Sequence, residues 1–314
     1  MSLEDSRRGL VNITDSFGVN NSFLENLLTE EIISFNDEER ERANSCENFL
    51  IQLIDSVGNG FEKSPIFIDG VKAASRLSYA TGGEQTLEEQ YIYSVVLLVL
   101  FLWDDIVSDN KALNKEELYV LAESFSFLVS DNVVPFLEDV DVDILNLAKL
   151  LKHINETHVG LLKDCQVNKF IRGTIRDKDV PSNLEECWSI CEMSCYRGVL
   201  NCFLHLLNRR NIQFSVDSEV CRICYKMICI INDFSSYEKE IEEGCCLNTI
   251  IIREQTHQDG KVFMKNYFQT LVVELERQID RSAKDGSVAV LSWVLGYLRF
   301  EKNREDMRNK GIDK

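Results

Sequence analysis

The sequence predicts an all-α protein, built as a single-domain bundle of about ten helices. Three observations carry that prediction. Only 3 prolines and 15 glycines interrupt the 314 residues. Apolar residues recur at helical spacing along most of the chain, whereas the strict alternation of a half-buried strand is scarce. Residues 91–103, YIYSVVLLVLFLW, form an apolar run of 13 bounded by Glu88-Glu89 and Asp104-Asp105. A membrane span needs about 20 apolar residues, so this run reads as a core helix.

In chain order, residues 1–20 lack a periodic apolar signal and read as a flexible arm. A single helical domain follows over 21–304, and 305–314 form a charged tail. Leu24, Leu27, Leu28 and Ile32 space out a helix over 23–35, and Phe49, Leu50, Leu53, Ile54 and Val57 a second over 36–57. Gly58, Gly60, Pro65 and Gly70 mark a loop. A short helix over 71–79 then precedes the break at Gly82-Gly83. Thr86 with Glu89 forms a capping box for the apolar run. Leu118, Leu121, Phe125 and Leu128 stripe a helix over 111–128, and a turn with Pro135 leads to a helix reaching about Gln166. Residues 169–183 read as a charged loop, and 184–207 and 220–240 as helices. Helices over 245–254, 262–282 and 286–304 complete the bundle.

Two of these helices end in oxygen-bearing side chains. Val220 to Ile231 is mostly apolar and runs into Asn232-Asp-Phe-Ser-Ser-Tyr-Glu-Lys-Glu240. Asn232, Ser236 and Glu240 stand at i, i+4 and i+8, one stripe of a helix. An amide oxygen, a hydroxyl and a carboxylate are hard ligands suited to Mg²⁺, and Lys239 beside them could reach an anion held by that metal. The run over 91–103 ends in Asp104-Asp-Ile-Val-Ser-Asp109. Asp105 and Asp109 share a helical face, and Asp104 lies about 100° round from Asp105. Carboxylates stacked at the mouth of a buried helix repel one another without a cation. The competing reading is a solvated acidic helix end, common in a chain of net charge −18.

DDxxxD followed by NDxxSxxKE resembles the class I terpene synthases of microbial type, similar to those of bacteria and social amoebae. The resemblance extends over roughly residues 61–301. It implies the class I terpenoid synthase fold. It also implies a Mg²⁺-dependent lyase that ionises an isoprenyl diphosphate, farnesyl first and geranylgeranyl second, and cyclises the cation to a hydrocarbon or alcohol. Three Mg²⁺ ions are implied, held by Asp104, Asp105 and Asp109 and by Asn232, Ser236 and Glu240. Lys239 and Arg299 would bind the diphosphate, although Phe300 stands where the family commonly has a tyrosine after that arginine. Phe101, three residues before Asp104, would present an aromatic face to the carbocation. Tyr79, Phe203, Phe234 and Trp293 are further candidates for the pocket wall. The family's diphosphate-sensing arginine follows a Pro-Ser/Thr-x-x-Glu-Glu stretch, here 181–186. Cys191 and Glu192 occupy the expected positions, so Arg172, Arg176 and Arg197 remain as alternatives.

Composition narrows the partners. A charge of −18 opposes binding to nucleic acid and to anionic membrane surfaces; an anionic small molecule needs metal ions to neutralise it locally. Residues 1–20 lack the apolar segment of a secretory leader. Eleven cysteines then fit reduced thiols in a cytoplasmic protein. Cys187, Cys191 and Cys195, and the CxxC at Cys221–Cys224, read as small buried side chains rather than as a zinc site. His153, His158, His205 and His257 lie near no nucleophile motif. Self-association as a homodimer stays open. Three alternatives to a terpene synthase stand beside it: an isoprenyl chain-elongating enzyme, which would carry a second aspartate-rich motif, a non-catalytic helical interaction protein, and a synthase-like protein without turnover.

Overall fold

The computed structural model describes residues 37–58, 64–82, 85–108, 110, 112–132, 140–192, 200, 203, 205, 218–244, 247–281, 290 and 293–301. Among these the chain is helical, with no strand. The helices are α1 (Asp37–Val57), α2 (Pro65–Gly82), α3 (Leu87–Trp103), α4 (Lys115–Asp131), α5 (Val142–Thr157), α6 (Leu161–Asp164) and α7 (Val167–Gly173). They continue with α8 (Leu184–Cys191), α9 (Glu219–Glu243), α10 (Thr249–His257) and α11 (Gly260–Arg281). A further helical stretch spans 293–301.

The bundle is built around α3. Tyr93 to Leu100 are all buried, as are Leu102 and Trp103, so the helix is covered on every side by its neighbours. Such a helix is apolar all round because no face meets water. Its residues and the π-helical turn that follows, Leu87–Ser108, are long and apolar enough to cross a membrane, yet 72% of the most apolar 18-residue window within them is buried inside the bundle. The Thr86 cap is formed as the sequence predicts: its side chain accepts from Glu89 N–H, and Glu89 reaches back to the Thr86 N–H.

Several boundaries move, each for a physical reason. The helix expected over 71–79 is α2, beginning at Pro65. Proline suits the first helical turn, where its missing N–H would be unpaired anyway. Gly70 therefore lies inside a helix, at a point where a Cβ would come within 2.9 Å of Leu102. The long helix expected up to Gln166 ends at Thr157, because Gly160 adopts φ +81° and turns the chain into α6 and α7. The expected charged loop over 169–183 is instead mostly α7 and a 3₁₀ turn, Thr174–Lys178. The helix expected from 245 starts at Thr249, capped by Asn248. The helix expected over 23–35 lies outside the described residues. Cys187, Cys191, Cys221 and Cys224 are buried small side chains outside any disulfide, as read from the sequence.

Candidate active site

Asn232, Ser236 and Glu240 lie on the unbroken helix α9, so their spacing does set them in one stripe. Each is half-buried, as expected of groups at a rim. The Ser236 hydroxyl donates to the Asn232 carbonyl at 2.7 Å, and its lone pairs face outward from that bond. One Glu240 oxygen accepts from the Asn248 amide at 2.8 Å. The same amide nitrogen lies 2.9 Å from the Asp233 carbonyl, while the Asn248 oxygen accepts from the N–H of Ile250 and Ile251. One side chain thus caps α10 and fixes the carboxylate of the stripe. Lys239 is exposed beside it.

Asp233 points the other way, into the core. It is 4% exposed and accepts from the Thr249 N–H at 2.9 Å and from the Thr249 hydroxyl. Burial pushes its carboxyl well above the usual carboxylate range, with the Cys191 thiol adding to the rise and the Thr249 bonds opposing it. The second motif therefore divides by face: three outward oxygen groups, and one buried acid that ties α9 to α10.

The first motif departs from the expected straight α-helix. Asp104 to Ser108 form one π-helical turn, a wider turn that is frequent at functional sites. Ile106, Val107 and Ser108 are buried in succession, which leaves Asp104 half-buried and Asp105 exposed as the polar face. The i, i+4 stacking of Asp105 on Asp109 assumed a continuous α-helix, and Asp109 lies outside the described residues. Trp103 anchors the turn: its indole N–H donates to Thr174 Oγ at 2.9 Å in the core. That bond brings the 3₁₀ turn bearing Arg176 up against the acidic end. The Arg176 guanidinium is 3.5 Å from both Asp179 and Ser189. Arg172 is bidentate to Glu123 at 2.9 Å, and Arg197 is outside the described residues.

The stretch 293–301 joins the two motifs. Trp293 donates its indole N–H to the Tyr93 hydroxyl at 3.0 Å, and Phe300 lies 6.5 Å from Phe101. The stretch thus runs parallel to α3, residues 293–300 beside 93–101. One residue on, the Glu301 carboxylate is 3.2 Å from Ser235 Oγ, inside the Asn232–Ser236 turn of α9. The acidic end of α3 and the polar end of α9 therefore stand at the same end of the bundle. Aromatic rings follow one another through the core from there: Phe101, Phe300, Tyr297, Trp293, Phe203 and Tyr93, each 6.1–6.5 Å from the next. The Arg299 guanidinium holds Glu39 of α1 at 3.0 and 3.2 Å.

Asn248, Thr249, Glu301 and Thr174 were not singled out from the sequence. Only Asn248 left a signal there, as an Asn directly before the apolar run Thr249 to Ile252. Among the described residues no three His, Cys, Asp or Glu side chains converge into a metal cage. The donors of the rim are instead mixed. Amide oxygen, hydroxyl and carboxylate, with one Glu240 oxygen outside the Asn248 bond, fit a hard divalent cation that keeps part of its water.

The all-α bundle is the terpene synthase fold. No family model matches the sequence, and no curated protein does. Among solved structures 35 chains match. One is the crystal structure of germacradien-4-ol synthase from Streptomyces citricolor, with a TM-score of 0.57 and 13% identity, spanning 85% of this chain and 95% of that one.

Proposed function

We propose that this protein is a class I terpene synthase that ionises an isoprenyl diphosphate and cyclises the resulting cation. Farnesyl diphosphate is the first-choice substrate and geranylgeranyl diphosphate the second. One observation supports the reading: the buried helix α3 and the buried first half of α9 both run into oxygen donors at the same end of the bundle, with a column of aromatic rings beside α3.

Asp104, Asp105 and Asp109 would hold Mg²⁺ on one side, and Asn232, Ser236 and Glu240 on the other. The bound metal supplies Lewis acidity to the leaving diphosphate. The chain's own residues do the rest. Lys239 brings a positive charge to the phosphate oxygens, and Arg299 reaches them by exchanging Glu39 for an anion. Asn248 keeps the Glu240 carboxylate oriented. Asp233 stays inside the protein, holding α9 against α10. The walls of α3 and α9 keep water from the allylic cation, which it would quench. Phe101 and Phe300 offer ring faces to that cation, an attraction of about 2 kcal/mol when desolvated.

Incubation of the purified protein with C10, C15 and C20 diphosphates and Mg²⁺ tests the reading, with released diphosphate and volatile products measured. Asp105→Ala and Asn232→Ala should each abolish product while leaving the helical circular dichroism unchanged. Wild-type activity in both variants would remove the site assignment. An absence of Mg²⁺-dependent thermal stabilisation by diphosphate would favour a non-catalytic helical protein.

A further inference from the structure

Glu301 is a buried acid that the reaction above does not use. It is 2% exposed and follows Phe300, where the C-terminal stretch meets α9. Burial of a carboxylate is costly unless donors reach it. Ser235 Oγ is one such donor, at 3.2 Å. Ser235 fills a position that NDxxSxxKE leaves open, so the motif's spacing gives it no task.

The donors around Asn232 give it one. The Asn232 carbonyl lies inside α9 and accepts the Ser236 backbone N–H in the ordinary helical pattern. Ser236 Oγ is 2.7 Å and Ser235 Oγ 2.9 Å from the same oxygen. Three donors therefore converge on a carbonyl that has two lone pairs. One hydroxyl has to send its proton elsewhere. Among the described residues Ser235 has a second acceptor, Glu301, and Ser236 has none. A hydrogen bond to a carboxylate is about twice as strong as one to a neutral group, so the Ser235 proton goes to Glu301.

The consequence falls on Ser236. A hydroxyl that offers its lone pairs to a cation must point its proton away from that cation. The Asn232 carbonyl receives that proton here. Were Ser235 to take the carbonyl instead, the Ser236 proton would swing toward the rim and oppose a positive ion there. We propose that Glu301 is a positioning residue for the metal ligand Ser236, which it serves by drawing the Ser235 hydroxyl off the Asn232 carbonyl. This rests on the terpene synthase reading of the rim.

The experiment uses the full chain with MgCl₂ and inorganic diphosphate. It reads the Mg²⁺ concentration that gives half of the thermal stabilisation. Glu301→Met removes the acceptor with little change of volume, and an apolar replacement of a buried charge is often tolerated; Glu301→Leu takes its place should it melt early. The half-maximal Mg²⁺ concentration should rise about fivefold, less than the tenfold or more that follows loss of a ligand's direct partner. Glu301→Gln keeps an acceptor oxygen and should restore most of the wild-type value. Ser235→Ala removes the competing hydroxyl. Alone it should leave the value unchanged, and combined with Glu301→Met it should cancel the rise. A carboxylate that only packs the C-terminal stretch predicts no cancellation. A rise in Ser235→Ala alone overturns the role, as does a rise in Glu301→Met that persists in the double variant. An unchanged value in folded Glu301→Met overturns it too. Each of these leaves the synthase reading standing, whereas no stabilisation of the wild type by Mg²⁺ and diphosphate overturns both.

Discussion

Asn248 serves two elements with one side chain. Its oxygen caps α10 and its nitrogen bonds Glu240 at 2.8 Å. Asn248→Ala should therefore do two separable things. Loss of the cap costs about 1 kcal/mol, read as a lower midpoint in thermal unfolding. If Glu240 holds Mg²⁺ as proposed, loss of the bond to its carboxylate should weaken Mg²⁺ binding about tenfold, read as a higher Mg²⁺ concentration for half-maximal turnover. Asn248→Asp keeps the capping oxygen and loses the donor, so it should raise the Mg²⁺ requirement with a smaller change in midpoint. Equal Mg²⁺ curves for all three proteins would leave Asn248 as a cap alone. At this scale the legible residues were those related by spacing along one helix. Asn232, Ser236 and Glu240 share α9, and helical geometry alone sets them in line. The amide that orients Glu240 comes from beyond the end of that helix, and no periodicity links the two.

Between elements, Tyr237 ties α9 to α10. Its hydroxyl donates to the Glu254 carboxylate, and the Lys261 ammonium sits 3.8 Å over its ring. The hydrogen bond to Glu254 is the main reason the phenol is pushed up to about 12 from 10.0. A group whose value is raised on folding stabilises the fold fully below its unfolded value, and that stability is lost as pH rises through the folded one. The contribution should thus be present below pH 10 and fade between 10 and 12. Tyr237→Phe should lower stability at neutral pH and flatten this alkaline limb, measured as unfolding midpoint against pH. A limb as steep in the variant as in wild type would assign it to other groups. Element boundaries were legible where a side-chain cap wrote them, as at Thr86, and were misread at Pro65, which marks a loop in the sequence reading but opens α2. They were missed where a turn changes type without changing composition. Residues 104–108 carry no mark that separates a π turn from an α turn, because burial of three successive residues is a tertiary demand. Likewise nothing around Gly160 required the expected helix to stop there until α6 had to fold back.

At the scale of the whole molecule, the apolar runs showed that helices would be buried, but not which ones would touch. Trp293 and Tyr93 are 200 positions apart, yet they fix the C-terminal stretch in parallel to α3. That pairing brings Glu301 to α9 and Phe300 to Phe101, so the rim depends on how closely the stretch approaches its neighbours. Gly296 sets that approach. A Cβ there would lie 1.9 Å from the Ala80 carbonyl oxygen and 2.7 Å from Thr81 Cα. Both are backbone atoms, so no rotamer change relieves the clash. Gly296→Ala must instead push the stretch away from α2, at a cost of about 3 kcal/mol. The unfolding midpoint should drop accordingly. Because the same displacement draws Phe300 and Glu301 from α3 and α9, the stabilisation by Mg²⁺ with diphosphate should shrink as well. A variant that lost stability but kept the full ligand-induced shift would mean that the two motifs hold their places without the C-terminal stretch. The bridge through Phe101, Phe300, Glu301 and Ser235 would then be a consequence of the site's assembly and not its cause.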